Sequence, residues 1–293
     1  MIYADNAATT ALDIDAFEAM KPYLLKEYGN ASQPYSFARS AKKALAAARK
    51  TIADCIGAQP EEIFFTSGGT ESDNWAIKGT LQYGDGRAIL TSQIEHHAIL
   101  NACASVERLG YPVVYLSVDQ KGVLTPATLN KFITGNTKLV SVMLVNNEIG
   151  TIEPIKELAE IAHIHGAFFH TDAVQAVGHI PVNVKVLGID MLSASAHKFN
   201  GPKGIGFLYI RKGTDIHSLV DGGAQEFGMR AGTENIAAIV AMAEALRKNC
   251  AHMDETESRL CKMENSFIHV LNKAGIDFIR NGEIGRASCR ERV

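Results

Sequence analysis

Short apolar runs alternate along most of the chain with stretches whose apolar residues recur at helical spacing. Glu62–Thr66, Ala88–Ser92, Val113–Leu116, Leu139–Val145 and Ala167–Thr171 read as buried strands. Ser36–Ile56 and Pro154–His165 carry the helical period between them. Strand–helix alternation of this kind predicts an α/β fold with a mostly parallel sheet covered on both faces. Met191–Ala194 and Ile205–Ile210 are separated by too little chain for a crossover helix, so they are expected to pair antiparallel. The turn between them is SASAHKFNGPKG, Ser193–Gly204, which sets Lys198 on a connection at a sheet edge.

From about Glu234 the pattern becomes helical, with helices expected near Asn235–Asn249 and Asp254–Ala274. They lead toward a second, smaller unit. The expected organisation is a large domain over 15–250 and the start of a small domain over 251–282, with an N-terminal segment, 1–14, packing against the latter. Residues 283–293 are rich in Arg, follow neither period, and read as a non-native tail.

Composition narrows the function classes. A chain of 293 residues with 46% hydrophobic and 21% charged residues has the make-up of a soluble globular protein with a deep core. A net charge of -3 supplies neither a basic field for nucleic acid nor a polybasic membrane patch. The opening MIYADNAATT lacks a basic stretch followed by an apolar one, so no signal peptide is expected there, and no apolar run is long enough to span a bilayer. The five cysteines are scattered without a CxxC, which fits reduced thiols in a cytoplasmic protein better than disulfides or a zinc site. Cys55, Cys103, Cys250 and Cys261 fall in predicted helices and read as small buried hydrophobes.

Lys198 lies among small and polar residues, with two glycines and a proline close behind. A lysine that forms a Schiff base needs an aldehyde cofactor within reach. If that cofactor is pyridoxal phosphate, it also needs a carboxylate for the ring nitrogen, an anion site for the phosphate and a platform for the ring face. Asp172, directly after a predicted strand, is the carboxylate candidate or else a helix N-cap. Thr66–Asn74, a strand end followed by two glycines and hydroxyls opening a helix, is either the phosphate site or an ordinary capped helix. It is not a P-loop, because GxxxxGK[ST] is absent. His96 or His97 is the platform candidate or a polar cap. His163, His165, His170 and Asp172 do not make a metal site, since His163 and His165 point to different sides of a helix. GPKGIG precedes a strand rather than a helix and is no dinucleotide loop.

In order, ADNAATT, SGGTESDN, EHHA, VNNEIGT, HTDAVQ, SASAHKFNGPKG and GMRAGTEN closely resemble the NifS/IscS-like cysteine desulfurases of the class V aminotransferase superfamily, over about residues 2–282. The resemblance implies a pyridoxal-phosphate-dependent transferase of the aspartate aminotransferase-like, type I fold, with an incomplete C-terminal small domain. It implies that Lys198 binds the cofactor covalently, that Asp172 pairs with the ring nitrogen, and that His96 stacks on the ring and acts as an acid or base. Gln175 would bond the ring hydroxyl, and Gly69, Thr70, Ser195 and His197 would hold the phosphate. Thr233 would reach the phosphate across a homodimer interface. Asn147 would sit near the ring oxygen and the substrate carboxylate, and Asn30 falls at a substrate-side asparagine. The implied reaction takes sulfur from L-cysteine as an enzyme persulfide, leaves alanine, and passes the sulfur to an acceptor protein such as an iron–sulfur scaffold or to tRNA and cofactor thiolation. Related alternatives are a selenocysteine lyase or another class V aminotransferase, or a cofactor-binding fragment without activity.

Three departures from the family pattern stand out. Tyr35 and Ala38 replace a histidine and a glycine of the GNPSSxHxxGxxA pattern. The family's loop with the nucleophilic cysteine has no counterpart among these motifs, and neither does its substrate-binding arginine. Ala287-Ser-Cys289 is superficially like that cysteine loop, but its flanks do not match.

Overall fold

The computed structural model describes residues 2–81 and 86–278. In chain order its elements are α1 (Ile14–Leu25), α2 (Arg39–Ile56), β1 (Ile63–Thr66), α3 (Gly69–Gly79), β2 (Ala88–Ser92), α4 (His97–Glu107), β3 (Val113–Leu116) and α5 (Pro126–Phe132). There follow β4 (Thr137–Ser141), α6 (Ile155–Ile164), β5 (Phe168–Asp172), α7 (Val184–Leu187), β6 (Met191–Ser195), β7 (Gly206–Ile210), α8 (Ile236–Ala251) and α9 (Met253–Lys273). The strands form one sheet in the order β1-β7-β6-β5-β4-β2-β3. The β6–β5–β4–β2–β3 run is parallel, while β7 pairs antiparallel with both β6 and β1. The expected fold and the β6–β7 pairing are both observed.

Every residue of β1, β4, β6 and β7 is buried, because helices cover both faces. Period-two alternation divides β6 between the two layers. Leu192 and Ala194 face the main core with Phe169, Phe207 and Tyr209, whereas Met191 joins Trp75, Ile89 and Leu208 beneath α3 and α4. One expected strand is shorter than its apolar run. β4 stops at Ser141, and 142–145 leave the ladder as an extended segment. They are still tied to the sheet, because Val142 N donates to His170 O and Leu144 N to Asp172 O. Val145 then bridges to Ile152. Burial of Val142–Val145 keeps the run apolar after the strand has ended.

The antiparallel β7 brings the first turn of α3 beside the end of β6. Ser195 and Thr66 both register on Gly206. A Cβ at Gly206 would lie 2.4 Å from Ala194 O and 2.7 Å from Gly68 Cα, so only glycine allows the loop before α3 to close down here. On the opposite side, the N-terminal segment lies along the turn that carries Lys198. Thr10 donates to His197 O from both its backbone N and its hydroxyl, at 2.9 Å each, and Asp13 N donates to Asn200 O at 2.9 Å. No helix among the described residues is long and apolar enough to cross a membrane.

Candidate active site

Five strand or helix ends converge at the carboxyl edge of the parallel strands, the usual ligand crevice of open α/β sheets. They enclose a cavity of about 210 Å³ lined by Gly69, Thr70, Asp73, His96, Asn147, Asp172, Gln175, Ser195, His197 and Lys198, with Ala8, Met143 and Val174. Asp172 ends β5, and its Oδ1 accepts from Val174 N at 2.9 Å. It therefore caps the following turn and faces the cavity, which joins the two readings open at the sequence level. Burial raises its pKa, while the nearby His96 and Lys198 pull it back down.

Lys198 ends a single helical turn, 196–198, beyond β6, and its Nζ donates to Ala7 O. The same carbonyl accepts from Gln175 Nε2 at 3.0 Å, so residue 7 braces two side chains of the cavity. His197 is half-buried, with Nδ1 3.1 Å from Thr9 Oγ1. Its pKa is lowered, first by burial and then by the charges of Lys198 and Lys203, which favours the neutral ring. His96 is the N-cap of α4: Nδ1 accepts from Ala98 N at 3.1 Å. The cap assigns the proton of the neutral ring to Nε2, and the side chain still lines the cavity. His97, the other platform candidate, is not part of the lining.

The first turn of α3 supplies N–H groups that have no intrahelical acceptor. A Cβ at Gly69 would lie 2.6 Å from Val174 Cγ2, so the turn approaches the cavity wall at a distance only glycine permits. Glu71 fixes the loop. It accepts from Ser67 N at 2.7 Å and from Arg230 Nε at 2.8 Å. Burial works to raise the Glu71 pKa, but the hydrogen bonds from Arg230 and Ser67 outweigh it and hold the carboxylate low. GMRAGTEN is thereby fastened to SGGTESDN.

The floor of the cavity includes a layer to which sequence reasoning gave no role. Asp73 is fully buried on α3, one turn after Thr70 and so on the same helix face. That spacing was the available signal. Burial, then the charge of Asp172, pushes the Asp73 pKa well above the usual carboxylate range, against a hydrogen bond from Ser193. His170 Nε2 lies 3.8 Å from Asp73 Oδ1 and 2.9 Å from Ser193 Oγ, while Nδ1 is 2.9 Å from Ser141 Oγ. Burial pushes the His170 pKa down to about 3. His170 is therefore held neutral, and its contact with Asp73 is not an ion pair.

Two candidate residues lie outside the cavity. Thr233 is exposed on the loop before α8, and Asn30 accepts from Ser32 N at 2.9 Å. They belong to one neighbourhood, because Ser32 Oγ donates to Glu234 Oε1 at 3.2 Å. His163 instead meets Asp190 at 2.8 Å, and His165 meets Ile161 O. Among the described residues no group of three His, Cys, Asp or Glu is placed to hold a metal ion. None of the described cysteines lines the cavity, and Cys289 lies outside the described residues.

The chemistry of these donors is specific. A buried carboxylate suits a basic ring nitrogen, an amine suits an aldehyde, and a helix N-terminus with two hydroxyls and a neutral imidazole suits a phosphate. Pyridoxal phosphate carries all three groups, and the glycine-lined turn at Gly69 provides the close backbone approach a phosphate needs.

Comparison with known proteins agrees. Residues 2–282 match the family described as Aminotransferase class-V. Cysteine desulfurase IscS of Dictyoglomus turgidum is 51% identical over 283 residues, 96% of this chain and 72% of that protein. A solved NifS-like protein superposes with a TM-score of 0.91 at 38% identity, over 94% of this chain and 76% of the other. SspA, solved in complex with cysteine, superposes at 0.82 with 39% identity, over 84% of this chain and 72% of its own. The motifs, the sheet, the cavity and these relatives agree that the chain belongs to the class-V aminotransferase family and is an enzyme of its pyridoxal-phosphate-dependent type.

Proposed function

We propose that this chain is a cysteine desulfurase. One observation carries the reading: a single cavity gathers Lys198, Asp172 and His96 in a chain half identical to a named cysteine desulfurase. The overall change converts L-cysteine and an acceptor thiol into L-alanine and the acceptor's persulfide. The carbon–sulfur bond breaks, a sulfur–sulfur bond forms, and a proton replaces sulfur on carbon.

Pyridoxal phosphate, when bound, supplies an electron sink for the negative charge left when the substrate loses its α-proton. Lys198 holds the cofactor and takes that α-proton on Nζ. Asp172 accepts from the ring nitrogen and keeps its proton in place, a task suited to a carboxylate removed from water. Gln175 donates to the ring hydroxyl. Gly69, Thr70, Ser195 and His197 bind the phosphate with the free N–H groups of α3. His96 would stack on the ring, and its Nε2–H, left free by the cap, would deliver a proton to the departing sulfur. Asn147 orients the substrate carboxylate, with Asn30 on the substrate side. In a homodimer Thr233 serves the phosphate of the neighbouring subunit. Residues 15–250 then form the cofactor-binding domain, and α9 opens a smaller one. The setting is cytoplasmic, and the sulfur goes to an acceptor protein of iron–sulfur assembly or to a thiolation pathway.

Incubating the purified protein and pyridoxal phosphate with L-cysteine and a dithiol tests the reading. Alanine and sulfide should appear in equal amounts over many turnovers. Absence of alanine contradicts it. Faster turnover of selenocysteine would identify a lyase for that substrate instead, and amino transfer requiring a keto acid would identify an aminotransferase.

A further inference from the structure

The helices α2 and α8 pack side by side in the same direction. Ala41 and Ile236 are buried together near their starts, and each helix carries a cysteine one residue before its end, Cys55 and Cys250. The two thiols are in hydrogen-bond contact. Neither is fully buried, unlike the sequence expectation, and both lie at the margin of the core. They share one wall of a cavity of about 580 Å³ whose other walls are largely apolar, including Val177, Ile180, Val182 and Leu246. That cavity is separate from the one at Lys198 and has no lining residue in common with it.

We propose that Cys55 and Cys250 form a reactive dithiol site that small hydroperoxides convert into a disulfide, linking the ends of α2 and α8. The placement supplies the three requirements of such a site: a thiol partner in contact, an approach for a small uncharged oxidant, and unequal partners. Cys55 donates to Cys250, and this contact, ahead of burial, raises the Cys55 pKa while lowering that of Cys250. The charged groups around the pair are Arg247, which favours a thiolate at Cys55, Asp54, which opposes it, and Asp254 at the cavity rim. Cys250 is therefore the attacking sulfur and Cys55 the resolving one.

The chemistry balances. The Cys250 thiolate attacks one peroxide oxygen, the O–O bond breaks, and a sulfenic acid forms with release of hydroxide. Hydroxide takes the Cys55 proton to give water. The Cys55 sulfur then displaces hydroxide from the Cys250 sulfur and the S–S bond closes. The two sulfurs together lose two electrons, which reduce the peroxide. Cys103 lacks such a setting, since it is completely buried and burial pushes its thiol up to about 12. The link would act on a helix pair already joined near its other end, where Ser32 of the segment before α2 donates to Glu234, just before α8.

The test uses the intact protein, fully reduced and then exposed to equimolar hydrogen peroxide. After thiol alkylation and non-reducing digestion, mass spectrometry should find the Cys55 and Cys250 peptides joined with loss of two hydrogens, and dithiothreitol should reverse this. In Cys55→Ser, dimedone should trap a sulfenic acid on Cys250. In Cys250→Ser, Cys55 should remain alkylatable. Wild-type mapping decides the matter even if a variant fails to fold. Recovery of both peptides singly alkylated, or linkage of either cysteine to Cys103, Cys261 or Cys289 instead, would overturn the proposal.

Discussion

Glu95 shows how a single side chain reports the electrostatics beneath the site. Its Oε1 accepts from Ser92 Oγ at 2.7 Å and Met143 N at 2.9 Å, while Oε2 has no partner among the described residues. Burial pushes its pKa up to about 8, against those two hydrogen bonds. The folded chain then keeps a proton here that the unfolded chain loses near its ordinary value of 4.5. Stability from this group is full below that value and falls as pH rises toward about 8. Glu95→Gln keeps the acceptor oxygen and removes the titration. The thermal midpoint of the wild type should therefore drop relative to the variant across this window. Parallel profiles would refute the assignment. His170 titrates in the opposite sense but is present in both proteins, so its contribution cancels in the comparison. At this scale the sequence revealed Lys198 because it is set among small and polar residues, and Asp172 because it directly follows an apolar run. It hid Asp73, whose acidic character in a first helical turn has an ordinary explanation. Only the fold places that carboxyl under α3 against Ser193 and His170.

Elements were legible wherever one period dominated. β7 carries an unbroken apolar run, β5 and β6 each open with an apolar pair, and α6 carries a clear helical stripe, so their limits fall within a residue or two of expectation. The run at 139–145 misled because burial continues after hydrogen-bonded pairing has stopped. Ties between distant elements leave no periodic trace at all. Arg49 on α2 makes a paired contact with Glu226, at 2.8 and 2.7 Å, and Glu226 also accepts from Phe65 N of β1 at 2.8 Å. Both side chains are almost completely buried, and the guanidinium lies over the rings of Phe65 and Phe227. These contacts hold Glu226 and Phe227 at positive φ, of 46° and 58°, a conformation costly for residues other than glycine. Glu226→Ala would leave a buried guanidinium without its counter-charge, at a cost of about 3–5 kcal/mol. A denaturant titration should show the fall in midpoint, and a shift of only a few tenths of a kcal/mol would mean the pair is not a structural tie.

Across the whole molecule, the ordered motifs make sense as parts of one crevice. They are separated along the chain because each sits at the end of a different strand or helix, and the antiparallel β7 folds the glycine loop back onto Ser195. The N-terminal segment closes over the Lys198 turn from the other side. Cofactor chemistry was readable in the sequence because it depends on several residues at fixed places in strand–turn–helix units. The thiol that receives sulfur was not, since none of the described cysteines reaches the cavity. The central claim is that Lys198 anchors pyridoxal phosphate in this crevice. The direct measurement is borohydride reduction of the protein with its cofactor, followed by peptide mass mapping. The account predicts a phosphopyridoxyl group on the Lys198 peptide and none in Lys198→Ala. The same adduct on a different lysine of the wild type, or its persistence in that variant, would contradict it.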